Sequence, residues 1–203
     1  MDPVEKATFI KENCIGITPD PIKAACAFDS YQETVVRTAK NYALYKCNQS
    51  ILALEIAKPE EIDNLVKLIF HVDHIPNTLI KKAIISVRDQ LEKTPILCKT
   101  CFDRACSVSA AIAFTPDDHT YLGICPSFFS KHNLTSTSRF LIHEGCHLAN
   151  LDEENRFNRV GEFYCNMEKE KFNYFTAPCP IDIDNIHNAD AWSYFIERLS
   201  YSA

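Results

Sequence analysis

Phe140-Leu141-Ile142-His143-Glu144-Gly145-Cys146-His147-Leu148 is the stretch in which apolar spacing and reactive side chains coincide. Residues four apart on a helix lie one above the other on the same face, so His143 and His147 can offer two imidazole nitrogens to one tetrahedral Zn2+. Glu144 then stands beside the metal without ligating it. A general base must stand there to take a proton from zinc-bound water, whose pKa the metal lowers to about 7. Phe140, Leu141, Ile142, Cys146 and Leu148 supply the buried faces of such a helix, and the run Thr135-Ser136-Thr137-Ser138 supplies several candidate N-caps. Apolar flanks of this kind bury two histidines and a carboxylate, which is costly unless a metal or polar partners satisfy them. That setting separates the stretch from a chance match on a solvated helix.

The rest of the composition narrows the class. A chain of 203 residues with 46% hydrophobic residues fits one domain with a sizeable core, 1–203, divided into a helical part over 1–95 and a second part over 96–203. The net charge is −6 and the basic residues do not gather into runs, so no electrostatic footprint for nucleic acid is expected. No apolar run approaches the roughly 20 residues of a membrane span, and Met1 to Lys11 lack the cationic and apolar regions of a signal peptide. A soluble monomer is expected, made without a cleavable leader or already freed of one. Ten cysteines permit disulfides without showing any. Cys98-x-x-Cys101 followed by Cys106 has no second Cys or His pair at finger spacing, so disulfide halves or buried thiols are expected there rather than a structural zinc. Asn48-Gln49-Ser50 and Asn133-Leu134-Thr135 are glycosylation sequons of a kind that occurs often by chance.

Along the chain, Thr18-Pro19-Asp20 before Pro21 signals a turn, so residues 1–20 read as an arm leading into a long helix from about Pro21 to Tyr45. A second helix is expected over Glu60 to Val72, with Ile62, Leu65, Val66, Leu68 and Ile69 on one face, and a third over Asn77 to Leu91. His71 and His74 flank Asp73, but the His74-Ile75-Pro76 break argues against a shared helical face and a metal role. Ile96 to Cys98, Ala110 to Phe114 and Thr120 to Cys125 are strand-like, with a turn at Thr115-Pro116-Asp117-Asp118-His119. The fold class is therefore α+β and mainly helical, with a small sheet before the metal helix. Tyr121 to Cys125 is the candidate edge strand for holding an extended substrate by main-chain hydrogen bonds.

Several features together resemble one family. Ala110-Ala111-Ile112-Ala113-Phe114-Thr115-Pro116, then Gly123-Ile124-Cys125-Pro126-Ser127-Phe128-Phe129, then the His143-Glu144-x-x-His147 helix, then Asn188-Ala189-Asp190-Ala191-Trp192-Ser193-Tyr194-Phe195 follow the order of motifs in aspzincins, the deuterolysins and peptidyl-Lys metalloendopeptidases. The likeness extends over roughly nine-tenths of the chain. It implies a zincin-like metallopeptidase fold, Zn2+ as cofactor, a protein or peptide substrate and a secreted enzyme. A start at Met1 without a signal would suit a bacterial effector exported into a host cell by a dedicated system. Aspzincins take their third zinc ligand from an Asp in Gly-Thr-x-Asp-x-x-Tyr-Gly, and no such string follows His147. Asp152, Glu153, Glu154 and Glu162 are the candidates. Glu162 is favoured because Val160, Phe163 and Tyr164 make its surroundings apolar, and Tyr164 is the phenol that could stabilise the tetrahedral oxyanion. In the lysine-specific branch an acidic pair receives the substrate lysine. Asp190 keeps the first of those positions, and Ser193 occupies the second.

The expected activity is peptide-bond hydrolysis with Glu144 as general base. A zincin-like interaction protein lacking turnover, and an amidase using the same site, remain open alternatives.

Overall fold

In the computed structural model, which describes residues 14, 17–107, 111–130, 133–151 and 185–202, the first long helix is set by a reciprocal cap. Asp29 Oδ1 accepts from the amide of Gln32 at 2.8 Å, and Gln32 Oε1 accepts from the amide of Asp29 at 3.1 Å, the geometry of a capping box. Helix α1 therefore runs Ser30–Ile56, later at both ends than the expected Pro21–Tyr45. Ala24 and Ala25 fit a helical period, but long-range pairing overrides it: Ala25 bridges Lys99, and the amide of Thr100 donates to the carbonyl of Ala24 at 2.9 Å. The buried stripe of α1 is Val36, Ala39, Ala43, Cys47, Ser50 and Leu54, spaced three or four residues apart as one helical face requires. The expected arm over 1–20 lies largely outside the described residues.

Helix α2 (Pro59–Phe70) starts on a proline, with Glu60 and Glu61 in its first turn, both suited to a helix N-terminus. It stops two residues before the expected Val72, because His71 takes a left-handed conformation at φ 58°. Ile62, Val66, Ile69 and Phe70 are buried, whereas Leu68, expected on the same face, is 50% exposed. Helix α3 (Asn77–Lys93) buries Ile80, Ala83, Ile84, Val87 and Leu91. His74 Nδ1 lies 2.7 Å from Asp63 Oδ1, a surface pairing.

Strands β1 (Ile96–Cys98), β2 (Ala113–Phe114) and β3 (Leu122–Ile124) form one sheet in the order β1-β3-β2, and a one-turn helix α4 (Arg104–Ser107) lies between the first two. β3 pairs in parallel with β1 and antiparallel with β2. The expectation of β3 as an edge strand is thus corrected: partners on both sides take up its main-chain groups, and β2 holds the margin opposite β1. Gly123 stands across from Phe114, and a Cβ there would overlap the Phe114 ring. The ring covers the bare strand at that point.

The described residues fall into two compact units, one within Met1–Tyr42 and Lys93–Glu144, the other within Ala43–Glu92 and Gly145–Ala203. In the first, the disulfides Cys26–Cys98 and Cys106–Cys125 tie the segment before α1 and helix α4 to the sheet and its end, and Cys14–Cys101 ties the chain before α1 to the turn after β1. Phe28 meets Phe129 edge to face, at 6.1 Å between centroids. In the second, helix α6 (Ala189–Leu199) packs on α2 through Phe70, whose ring centroid lies 4.7 Å from that of Trp192 and 5.1 Å from that of Phe195. A buried ion pair accompanies this packing: Lys46 Nζ lies 2.7 Å from Glu197 Oε1, with the lysine side chain 1% exposed. Beside it, the Ser50 hydroxyl donates to the carbonyl of Ile196 at 2.7 Å. The architecture is α+β and mainly helical, as expected from the sequence.

Candidate active site

Helix α5 (Leu134–Leu148) carries the His-Glu-x-x-His sequence without interruption. Its cap is Asn133, whose Oδ1 accepts from the amide of Thr135 at 2.8 Å, and not one of the Thr135–Ser138 hydroxyls. The last two of those hydroxyls turn back onto their own helix. Thr137 donates to the carbonyl of Leu134 at 3.1 Å and Ser138 to that of Thr135 at 2.9 Å, which satisfies two buried polar groups in place. Leu141, Ile142, Cys146 and Leu148 are buried as expected, and Phe140 is half-buried.

The helix ends directly after the second histidine. Asn150 is left-handed at φ 56°, its amide donates to the carbonyl of His147 at 3.0 Å, and the amide of Leu151 reaches the carbonyl of Cys146 at 3.0 Å. These bonds make a Schellman ending, and asparagine is the commonest residue after glycine to supply it.

His143 and Glu144 are each 7% exposed, and His147 is half-buried. At 100° per residue, Gly145 points about 160° away from both histidines, which lie about 40° apart on the same face of α5. A Cβ on Gly145 would sit 2.8 Å from Leu91 Cγ and 3.0 Å from Val87 Cγ1. Glycine therefore lets this side of the helix seat closely on α3.

The turn after β2 also touches the helix. Thr115 Oγ1 donates to the main-chain carbonyl of Glu144 at 3.1 Å. The turn itself is closed by the amide of His119, which donates to the carbonyl of Pro116 at 2.9 Å, with His119 at φ 55°. The hydroxyl and amide of Thr120 bond to Asp118 Oδ1 at 2.8 and 3.2 Å and hold that exposed carboxyl below its ordinary range.

On α6, Asn188 caps the helix by accepting from the amides of Asp190 and Ala191 at 2.8 and 3.3 Å. Asp190 and Ser193, expected to meet the substrate, are 4% and 0% exposed. The Ser193 hydroxyl donates to the carbonyl of Asp190 at 2.9 Å. Glu162, Tyr164, Asp152, Glu153 and Glu154 lie outside the described residues. Among the described residues no three His, Cys, Asp or Glu side chains gather into a metal-holding group.

The described side chains are of types that suit zinc, with two imidazoles on one helical face as would-be ligands and, next to the first, a buried carboxylate that would stand outside the donor set. Sequence spacing marks these three residues as the candidates. It missed Thr115, because nothing local to a turn reveals which distant carbonyl its hydroxyl will reach. It also missed Lys46, whose place between Ala43, Cys47 and Ser50 on the α1 wheel was the available signal. No protein-family model, no curated protein and no solved structure matches this chain.

Proposed function

We propose that this chain is a zinc-dependent endopeptidase of zincin-like, aspzincin-like plan. The observation that carries the reading is that His143, Glu144 and His147 sit on one unbroken helix, with His143 and Glu144 buried and the helix closed by a Schellman turn right after His147. A chance motif on a solvated helix has no reason to bury an imidazole and a carboxylate together. His143 and His147 would hold the metal, with Glu162 as the proposed third ligand. Bound there, Zn2+ would supply Lewis acidity and bring a ligated water's pKa down to about 7.

Glu144 takes the proton of the attacking water on its carboxylate and returns it to the leaving amine. Tyr164 is the proposed donor to the oxyanion. With β3 enclosed, β1 and β2 are the margins of the sheet, and β2 is the one that would receive an extended substrate by main-chain pairing, because Thr115 at its end reaches the carbonyl of Glu144. Asp190 and Ser193, the positions expected to receive a basic substrate side chain, are both buried, and the Ser193 hydroxyl is engaged with its own helix, so strict specificity for a basic residue is not part of the reading. Three disulfides need an oxidising environment to form, which supports secretion or export.

The test is turnover of a quenched peptide library by the zinc-loaded chain and by its Glu144→Gln variant. Loss of the base should lower turnover by at least about 10²-fold while zinc is retained. Equal turnover in the two proteins, or none in the parent, would contradict the reading.

A further inference from the structure

The hydroxyl of Thr115 has no part in the proposed chemistry, yet it ends on the one carbonyl of α5 that belongs to the proposed base. Thr115 directly follows β2, and its Oγ1 donates to the Glu144 carbonyl at 3.1 Å across 29 residues of sequence. Three neighbouring features leave this bond as a coupling rather than a local turn contact. The turn beyond it is already closed by the His119 amide on the Pro116 carbonyl. β2 is a two-residue strand held on one side by β3; the bonds of Ala111 and Ile112 fix the chain ahead of it, and Thr115 fixes the end that leaves it. The side chain is half-buried, so water competes only partly for the hydroxyl.

We infer that Thr115 is a positioning residue that registers the substrate-holding margin of the sheet against the helix bearing Glu144. This rests on the endopeptidase reading. The strand that would hold the peptide and the residue whose carboxylate would deprotonate the water are then tied by one hydrogen bond. Proton transfer depends steeply on placement, and a misplacement of about 1 Å can lower a rate by about 10²-fold. Loss of the tie should therefore act on turnover more than on substrate affinity.

Thr115→Val keeps the shape and removes the donor, and Thr115→Ser keeps the donor. With the zinc-loaded full chain and a peptide chosen from the library, Thr115→Val should lower kcat about tenfold, leave KM within about twofold and leave zinc content unchanged. Thr115→Ser should stay within about twofold of the parent. A merely structural threonine would lower the melting temperature without this kcat-specific loss well below melting. In the zinc-free chain, amide hydrogen exchange read by mass spectrometry should rise in Thr115→Val over 113–115 and 144–148, and not in Thr115→Ser. Parent-like kcat in the valine variant, or equal loss in both variants, would overturn the inference. A parent without turnover would refute the endopeptidase reading instead. In that case unchanged exchange in Thr115→Val would separately show that the tie does not couple strand to helix.

Discussion

Replacing Lys46 by methionine should destabilise the fold far more than its surface-like charge suggests. The ammonium lies 2.7 Å from Glu197 Oε1 with side-chain exposures of 1% and 10%, and it also sits 5.8 Å from the Tyr201 ring centroid. Methionine fills nearly the same volume, so the loss is electrostatic: a carboxylate is left in a poorly hydrated site without its opposing charge. Breaking a buried pair from one side costs about 3–5 kcal/mol, whereas replacing both members by apolar residues of similar volume is often close to neutral. Lys46→Met and Glu197→Met should each lose about that much. The double variant should lie within about 2 kcal/mol of the parent, closing the cycle with a coupling energy of at least about 4 kcal/mol. Urea unfolding gives the assay, because at about 2 kcal/mol per molar a single substitution shifts the midpoint by about 1.5–2.5 M. The sole tryptophan, Trp192, is 4% exposed, stacks near Phe70 and shares a helix with Glu197, so its fluorescence reports on this unit. Single losses below about 1 kcal/mol, the range of exposed pairs, would refute the reasoning. So would a double variant as unstable as the two losses added together.

Gly145→Ala should lower stability by up to about 2 kcal/mol, since a methyl 2.8 Å from Leu91 Cγ overpacks a buried contact by about 1–3 kcal/mol against a helix-propensity gain of about 1. A stabilised variant in thermal melts would show that the glycine is not needed for close seating. Burial pushes the Cys47 thiol up to about 12, with the Arg88 charge offsetting part of the shift. The thiol thus stays protonated in the fold while the unfolded chain ionises from about pH 9. Its contribution to stability is complete below that pH and declines at about 1.4 kcal/mol per unit up to pH 12. Cys47→Ala should remove that part of the alkaline slope, and an unchanged slope would contradict the assignment. For the third ligand, Glu162→Ala should lose zinc far more severely than Asp152→Ala or Glu154→Ala, as competition with a chelator can measure. The opposite order would move the ligand to the residues directly after α5.

The helix that carries the His-Glu-x-x-His sequence is legible because its apolar period and reactive residues fall in one local window, and Leu134–Leu148 is helical throughout. Where one element's position depends on a distant one, local pattern misleads. Residues 24–26 match a helical step, yet the Cys26–Cys98 disulfide and the Ala25–Lys99 bridge hold them beside β1, and α1 waits for the Asp29–Gln32 box. Strand order is non-local in the same way. Alternation marks Leu122–Ile124 as a strand but not that β1 and β2 both pair with it. Thr135–Ser138 have the right residue type for a cap, while Asn133, part of a sequon, has both the type and the place. For the candidate site, spacing alone places His143, Glu144 and His147 on one helix, and that placement is what the fold shows. The Thr115 tie and the burial of Asp190 and Ser193 could not be read from spacing, since they arise from packing.

Zinc content tests the central claim most directly. Atomic mass spectrometry on the purified chain and on the His143→Ala/His147→Ala variant should give one Zn2+ per parent chain and none in the variant, because a single remaining carboxylate ligand cannot hold the ion tightly. Stoichiometric zinc in the double variant, or a parent that takes up no zinc when it is supplied, would contradict the assignment of His143 and His147 as ligands.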